Sequence, residues 1–136
     1  MVTTHENGST VRALIKAAYD RNYELAASFA SPDIEVIDET TGHRFTGHEG
    51  LRQFVQYWLD TFRDYQHDIT NLVADDDGVA IEYVFQAWHS AAAAESSEDI
   101  PSTGRSIQSR SAAFFQMADG KVVGYHLYYN PPESFP

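Results

Sequence analysis

Twenty carboxylic acids, six histidines and eight tyrosines, with no cysteine, are the side chains through which this 136-residue chain could do chemistry. The missing cysteine removes thiolate nucleophiles, thiolate metal sites and disulfides. Asp38, Glu39, His43, His48 and Glu49 crowd one short segment. They lack the H-E-x-x-H spacing and fall on a turn and a helix start, so they read as solvated charges and no metal is expected. A G-x-S-x-G elbow and a glycine-rich phosphate loop are also missing, which leaves serine hydrolysis and nucleotide binding without support.

Acid–base chemistry needs no more than the carboxylates and histidines that the chain holds. Asp38 stands before the turn Thr40, Thr41, Gly42, His89 ends an alternating apolar run, and His126 and Asn130 lie in the aromatic run that begins at Tyr125. A carboxylate can take a proton, and histidine is the side chain whose unperturbed pKa suits acid–base work near neutrality. Plainer readings stay open beside these. Asp38 can cap its turn, His126 can be a satisfied core histidine, and His89 can be a surface residue. Glu82 and Arg110, both inside strands, read as a cross-strand pair.

Positioning these groups requires a small set of elements. Val11, Leu14, Ile15, Ala18 and Tyr19 repeat at three and four and predict a helix capped by Ser9 or Thr10, broken at Asp20–Asn22 and followed by a short helix before Pro32. Ile34–Asp38 reads as a strand and Thr41–Gly47 as a turn or hairpin. Leu51, Phe54, Val55, Trp58, Leu59 and Phe62 predict a helix over 48–63 that faces a sheet. Strands follow at His67–Ala74 and Val79–His89, then at Arg105–Met117 and Val122–Asn130, joined by turns at Asp75–Gly78 and Ala118–Gly120. The low-complexity stretch 90–104 reads as a flexible connection. Helices followed by an antiparallel run predict an α+β fold, a curved sheet wrapped around helices, as a single domain over 1–136.

Composition narrows the partners. Hydrophobic residues at 43% suffice for a core, and a net charge of −11 repels phosphate backbones and anionic lipid. Neither nucleic acid nor a membrane is therefore an expected partner. No apolar run approaches the roughly 20 residues of a membrane span, and the opening residues lack a secretion signal, so a cytoplasmic location is expected.

The order of these motifs resembles the NTF2-like superfamily and, within it, the SnoaL-like polyketide cyclases. The segments GHEGLRQFVQYW, DDDGVAIEYVFQAWH and ADGKVVGYHLYYN carry the resemblance, together with Pro101–Arg105, and cover about residues 10–130. It implies a cone-shaped, mostly antiparallel sheet around the long helix, a pocket for a small hydrophobic molecule, no cofactor and a homodimer. Pocket-lining candidates are Tyr19, Trp58, Phe62, Tyr83, Phe85, His89, Phe114 and Tyr128. The cyclases carry a catalytic aspartate where this chain has Asn130, and by alternation His126 shares that residue's face. Ketosteroid isomerases of the same superfamily carry their base nine residues before a helix-opening glycine, and Asp38 stands nine before Gly47.

The resemblance thus implies an isomerase or aldol-type cyclase acting on a polyketide-like or steroid-like carbonyl compound. Asp38 would be the base, His126 an acid or hydrogen-bond partner, and Asn130 with a tyrosine hydroxyl would stabilise the enolate. The alternative is a non-catalytic small-molecule binder or dimeric interaction protein of the same fold.

Overall fold

The computed structural model describes residues 4–89 and 106–129. Three helices and six strands follow in the order α1 (Thr4–Tyr19), α2 (Tyr23–Ser28), β1 (Ala30–Asp38), β2 (His43–Thr46), α3 (Gly47–Thr61), β3 (Phe62–Ala74), β4 (Gly78–His89), β5 (Ser106–Ala118) and β6 (Lys121–Tyr129). The expected connection over 90–104 and Asn130 lie outside the described residues.

Helix α1 starts at Thr4, ahead of the expected cap at Ser9 or Thr10. Tertiary contact is the reason. Asn7 is 1% exposed, and its Nδ2 donates to the carbonyls of Asp75 at 3.0 Å and Asp76 at 3.3 Å. The early turns of α1 are thus tied to the β3–β4 turn, a contact that local periodicity does not reveal. Arg21, at φ 60°, ends the helix, and the Asn22 side chain caps α2 by accepting from Leu25 N at 3.2 Å.

The long helix α3 buries Leu51, Phe54, Val55, Trp58 and Leu59 against the sheet, as their spacing predicts. Phe54 lies at its centre, with ring centroids 5.6 Å from Phe45 and 5.4 Å from Tyr125. Truncating such a residue to alanine costs about 3–5 kcal/mol. The helix ends at Thr61, so Phe62 is the first residue of β3, five positions before the expected strand start at His67. It is 2% exposed and stacks on Trp58 at 5.6 Å. Phe62 continues the apolar spacing of Trp58, and the pattern therefore does not mark the switch from helix to strand.

The described strands form a curved, unclosed sheet in the order β2-β1-β6-β5-β4-β3, with the helices on its inner face. Neighbours are antiparallel except β1 and β6, which run parallel with Ile37 opposite His126 and Asp38 opposite Leu127. The expected hairpin at Thr41–Gly47 is β2 folding back on β1. The β5–β6 turn places Asp119 at φ 52° and Gly120 at φ 75°, the left-handed pair that a tight hairpin needs.

The expected Glu82–Arg110 pair is not formed. The register sets Glu82 opposite Ala112 and Arg110 opposite Val84, and the Glu82 carboxylate accepts from Asn71 Nδ2 at 3.3 Å instead.

Candidate functional site

Asp38 closes β1 with its side chain on the inner face, 6% exposed. Its Oδ1 accepts from the backbone N–H of Thr40 at 3.0 Å and of Thr41 at 3.1 Å, which is the turn-capping geometry. Its Oδ2 accepts from the Tyr129 hydroxyl at 3.1 Å. The two oxygens thus face different ways, one into the turn and one toward the end of β6.

The turn grips that end of β6 at each residue. Glu39 N donates to Leu127 O at 2.9 Å. Thr40 Oγ1 donates to Tyr129 O at 2.8 Å and accepts from Tyr129 N at 3.1 Å. The Tyr129 ring also meets Trp58 edge-on at 5.2 Å. Its hydroxyl is therefore aimed by both backbone and ring contacts.

Tyr129 forms part of a small aromatic cavity between the helices and the sheet. Tyr19, Tyr65 and Tyr83 face it as well, with Trp58, Phe85 and Leu127 as apolar wall and Ser109 and Ser111 from β5. The space amounts to about 20 Å³, room for about one water. A space of that size takes a ring-sized ligand only if side chains move aside.

Electrostatics keep the tyrosine hydroxyls protonated. Burial raises the pKa of Tyr19, and hydrogen bonds with Tyr65 and Tyr125 partly offset this. Burial first, then neighbouring tyrosines, hold Tyr65 and Tyr125 well above the ordinary phenol value. Tyr83 is pushed well up by burial, which the Ser111 side chain beside it partly offsets. For Tyr129 burial leads again, followed by the nearby Asp38 charge. An apolar cavity lined with neutral hydroxyl donors, one of them bonded to a buried carboxylate, can hold a developing oxyanion and accept a proton.

Beside the cavity, His67 stacks on Tyr83 at a centroid distance of 3.9 Å, and neither ring nitrogen has a hydrogen-bond partner among the described residues. Burial lowers its pKa to about 4, so it is neutral at physiological pH.

The structure brings Tyr19, Trp58, Tyr83 and Phe85 together around the cavity, sets Asp38 behind Tyr129 at its edge, and separates these from the other expected site residues. Tyr125 and Leu127 are buried at 2% and 3%, which sets the inner face of β6 and turns His126 and Tyr128 outward. His126 Nδ1 lies 2.8 Å from Glu39 Oε2, so it does not share a face with Asp38. Phe114 and Tyr128 are exposed on the outer face at 41% and 48%. Phe62 stands behind Trp58, outside the cavity wall. Asn130 and the side chain of His89 lie outside the described residues.

Sequence reasoning missed Tyr65, Ser109, Ser111, Leu127 and Tyr129. A usable signal existed for the serines, because Ser109 pairs with Phe85 and Ser111 with Tyr83. Directly paired residues share a face. The acids and histidines that crowd residues 38–49 disperse. Glu39 meets His126, Glu49 meets Arg52 at 3.3 Å, and His48 Nε2 meets Ala30 O at 3.0 Å. Among the described residues no helix is long and apolar enough to cross a membrane.

Solved structures share this architecture. A candidate polyketide cyclase from Xanthomonas campestris pv. campestris is 24% identical with a TM-score of 0.78, the match covering 93% of this chain and 92% of that one. An NTF2-like protein from Burkholderia xenovorans LB400 is 18% identical with a TM-score of 0.74, covering 96% and 93%. A protein with a ketosteroid isomerase-like fold from Catenulispora acidiphila DSM 44928, solved in complex with trimethylamine, is 16% identical with a TM-score of 0.73, covering 89% and 85%. No curated protein matches the chain. The family model of the SnoaL-like domain matches residues 11–125, most of the sequence, from within α1 to within β6. On that match and on its NTF2-like fold, the chain belongs to the SnoaL-like domain family.

Proposed function

We propose that this chain performs cofactor-free acid–base chemistry on a hydrophobic carbonyl compound, polyketide-like or steroid-like, as an isomerase or aldol-type cyclase. The observation that carries the reading is the buried Asp38 carboxylate hydrogen-bonded to Tyr129, a residue of the aromatic cavity. A proton shift beside a carbonyl needs a base and a donor for the enolate oxygen, and neither role requires a metal or an organic cofactor. Asp38 supplies the base. The Tyr83 hydroxyl, in the cavity wall opposite Ser111, supplies the donor in place of Asn130. His126 takes no direct part, because it faces away from the cavity. The names of the cyclase and isomerase-like neighbours agree with this reading.

A direct assay follows exchange of the hydrogens beside the carbonyl of 2-tetralone in deuterium oxide, with androst-5-ene-3,17-dione as a steroid probe. The wild-type protein exchanges them faster than buffer, and Asp38→Asn slows the exchange by about 10²- to 10⁴-fold. Asparagine keeps an acceptor for Thr40 N and Thr41 N, so the turn survives the change. Wild-type exchange no faster than buffer on both probes removes the proposal.

The second reading, a non-catalytic binder, is favoured by Asn130, an amide that cannot take a proton where the cyclases carry an aspartate. It predicts that both probes bind without exchange. We further propose that the chain acts in the cytoplasm as a homodimer joined through the outer sheet face, where Val73, Phe114 and Tyr128 are exposed.

A further inference from the structure

We propose that Tyr129 is the catalytic residue that touches substrate, and that it relays the proton to Asp38. Three observations support this assignment. First, Asp38 is not part of the cavity wall, whereas Tyr129 is. Second, the contacts of the carboxylate are directional. Two backbone N–H groups hold Oδ1, and Oδ2 meets the Tyr129 hydroxyl at 3.1 Å, so a molecule in the cavity reaches the phenol before the carboxylate. Third, the phenol is held in place. Thr40 Oγ1 bonds both backbone polar groups of Tyr129, at 2.8 and 3.1 Å, and Trp58 meets its ring at 5.2 Å.

This assignment rests on the acid–base reading and adds to it which group receives the substrate proton. In the forward step the C–H bond beside the substrate carbonyl breaks and its proton passes to Tyr129 Oη. In the same event the proton already on Oη passes to Asp38 Oδ2. The negative charge leaves the carboxylate and arrives on the enolate oxygen, and Tyr129 ends neutral, as it began. The reverse movement returns a proton from Tyr129 to the second carbon of the substrate while the Asp38 proton moves back to Oη. The two transfers must be concerted, because burial and the Asp38 charge both disfavour a free phenolate at Tyr129. A phenol that donates to a carboxylate has a more basic oxygen than a free phenol, which is the purpose of the pairing.

The 2-tetralone exchange assay, run on wild type, Asp38→Asn and Tyr129→Phe, tests the relay. Phenylalanine keeps the ring against Trp58 and removes only the hydroxyl. The relay predicts that Tyr129→Phe loses about 10²-fold or more of the exchange rate although Asp38 is intact. If Tyr129 merely shields the carboxylate, removing its hydroxyl uncovers the base and the rate stays or rises, which overturns the relay and leaves Asp38 as a direct base. Wild type without exchange overturns the acid–base reading itself, and the relay with it. A third protein, carrying 3-fluorotyrosine at position 129, covers the case in which Tyr129→Phe does not fold. It keeps the shape and makes the phenol more acidic, so the relay predicts a several-fold change in rate and a shifted pH profile, and a structural tyrosine predicts neither.

Discussion

His126 Nδ1 and Glu39 Oε2 lie 2.8 Å apart on the outer side of the sheet, while Asp38, the neighbour of Glu39 in sequence, sends its carboxylate to the inner side. One strand end thus carries two acids with separate tasks. The outer acid fastens β1 to β6, and the inner one serves the cavity.

Replacing His126 by alanine therefore acts on stability and leaves proton transfer alone. Its side chain is 21% exposed and that of Glu39 is 33% exposed, so the contact is partly screened by solvent and worth about 1 kcal/mol or less. Urea unfolding registers that loss, and the exchange rate of 2-tetralone stays within about threefold of wild type. A hundredfold fall in rate with an unchanged urea midpoint contradicts the placement of His126 outside the cavity.

His67 gives the fold a definite acid sensitivity. Its pKa is about 4 in the folded protein, against 6.5 in the unfolded chain. Between those values the unfolded chain binds a proton that the folded one does not, so stability declines as the pH falls from 6.5 and the decline ends near 4. The gap corresponds to roughly 3 kcal/mol. His67→Phe keeps the stack on Tyr83 and removes the titration and two unpartnered nitrogens. Urea midpoints measured from pH 7 to pH 4 should differ between the two proteins by an amount that grows toward the acid end. A constant difference contradicts the neutral, buried ring.

Gly50 fixes how closely α3 passes over β2. A Cβ built there would lie 2.8 Å from the Phe45 carbonyl carbon, which is backbone and cannot rotate away. Gly50→Ala should cost about 1–3 kcal/mol by chemical denaturation, and with it some of the Phe45–Phe54 contact. An alanine protein as stable as wild type shows that the helix can lift off without penalty.

The outer face gives the homodimer proposal a specific test. Val73 is 65% exposed beside Phe114 and Tyr128, a contiguous apolar area of the kind that marks association surfaces. Sedimentation at micromolar concentration should report a dimer for wild type and a monomer for Val73→Asp, with circular dichroism unchanged. A wild-type monomer under those conditions rejects the proposal.

Local pattern revealed the elements, and faces were read well only where polarity alternates. Phe54 and Trp58 repeat at helical spacing on one side of α3, and Val79 to Phe85 alternate, so both elements and their buried faces were legible. In β6, apolar or aromatic residues occupy both faces from Tyr125 to Tyr129, and period-two reasoning cannot choose between them. The choice is made by Tyr125 packing against Phe54 and Phe115, a tertiary fact. For the same reason local pattern points His126 into the cavity and leaves Tyr129 out of it. The Asp38–Tyr129 bond spans 91 positions, a distance over which no local pattern speaks. Strand β1 crosses Pro32 by a shift in its register between Ala30 and Glu35, which the strand expected from Ile34 did not anticipate.

The parallel pairing of β1 with β6 has a consequence for when the site can exist during synthesis. Hairpin β1–β2 and the run β3–β4–β5 close over short stretches of chain, so they can form as a nascent polypeptide lengthens. The strand beside Asp38 is supplied only after residues up to Tyr129 have been made. Contacts of such sequence separation form late and slow the folding of a small domain. Until then one hydrogen-bonding edge of β1 lacks its partner strand, and the acid waits beside an unfinished wall. Completion of the last strand is thus both the step that pairs this edge and the step that assembles the chemistry, so a chain arrested before it carries an aggregation hazard and no site.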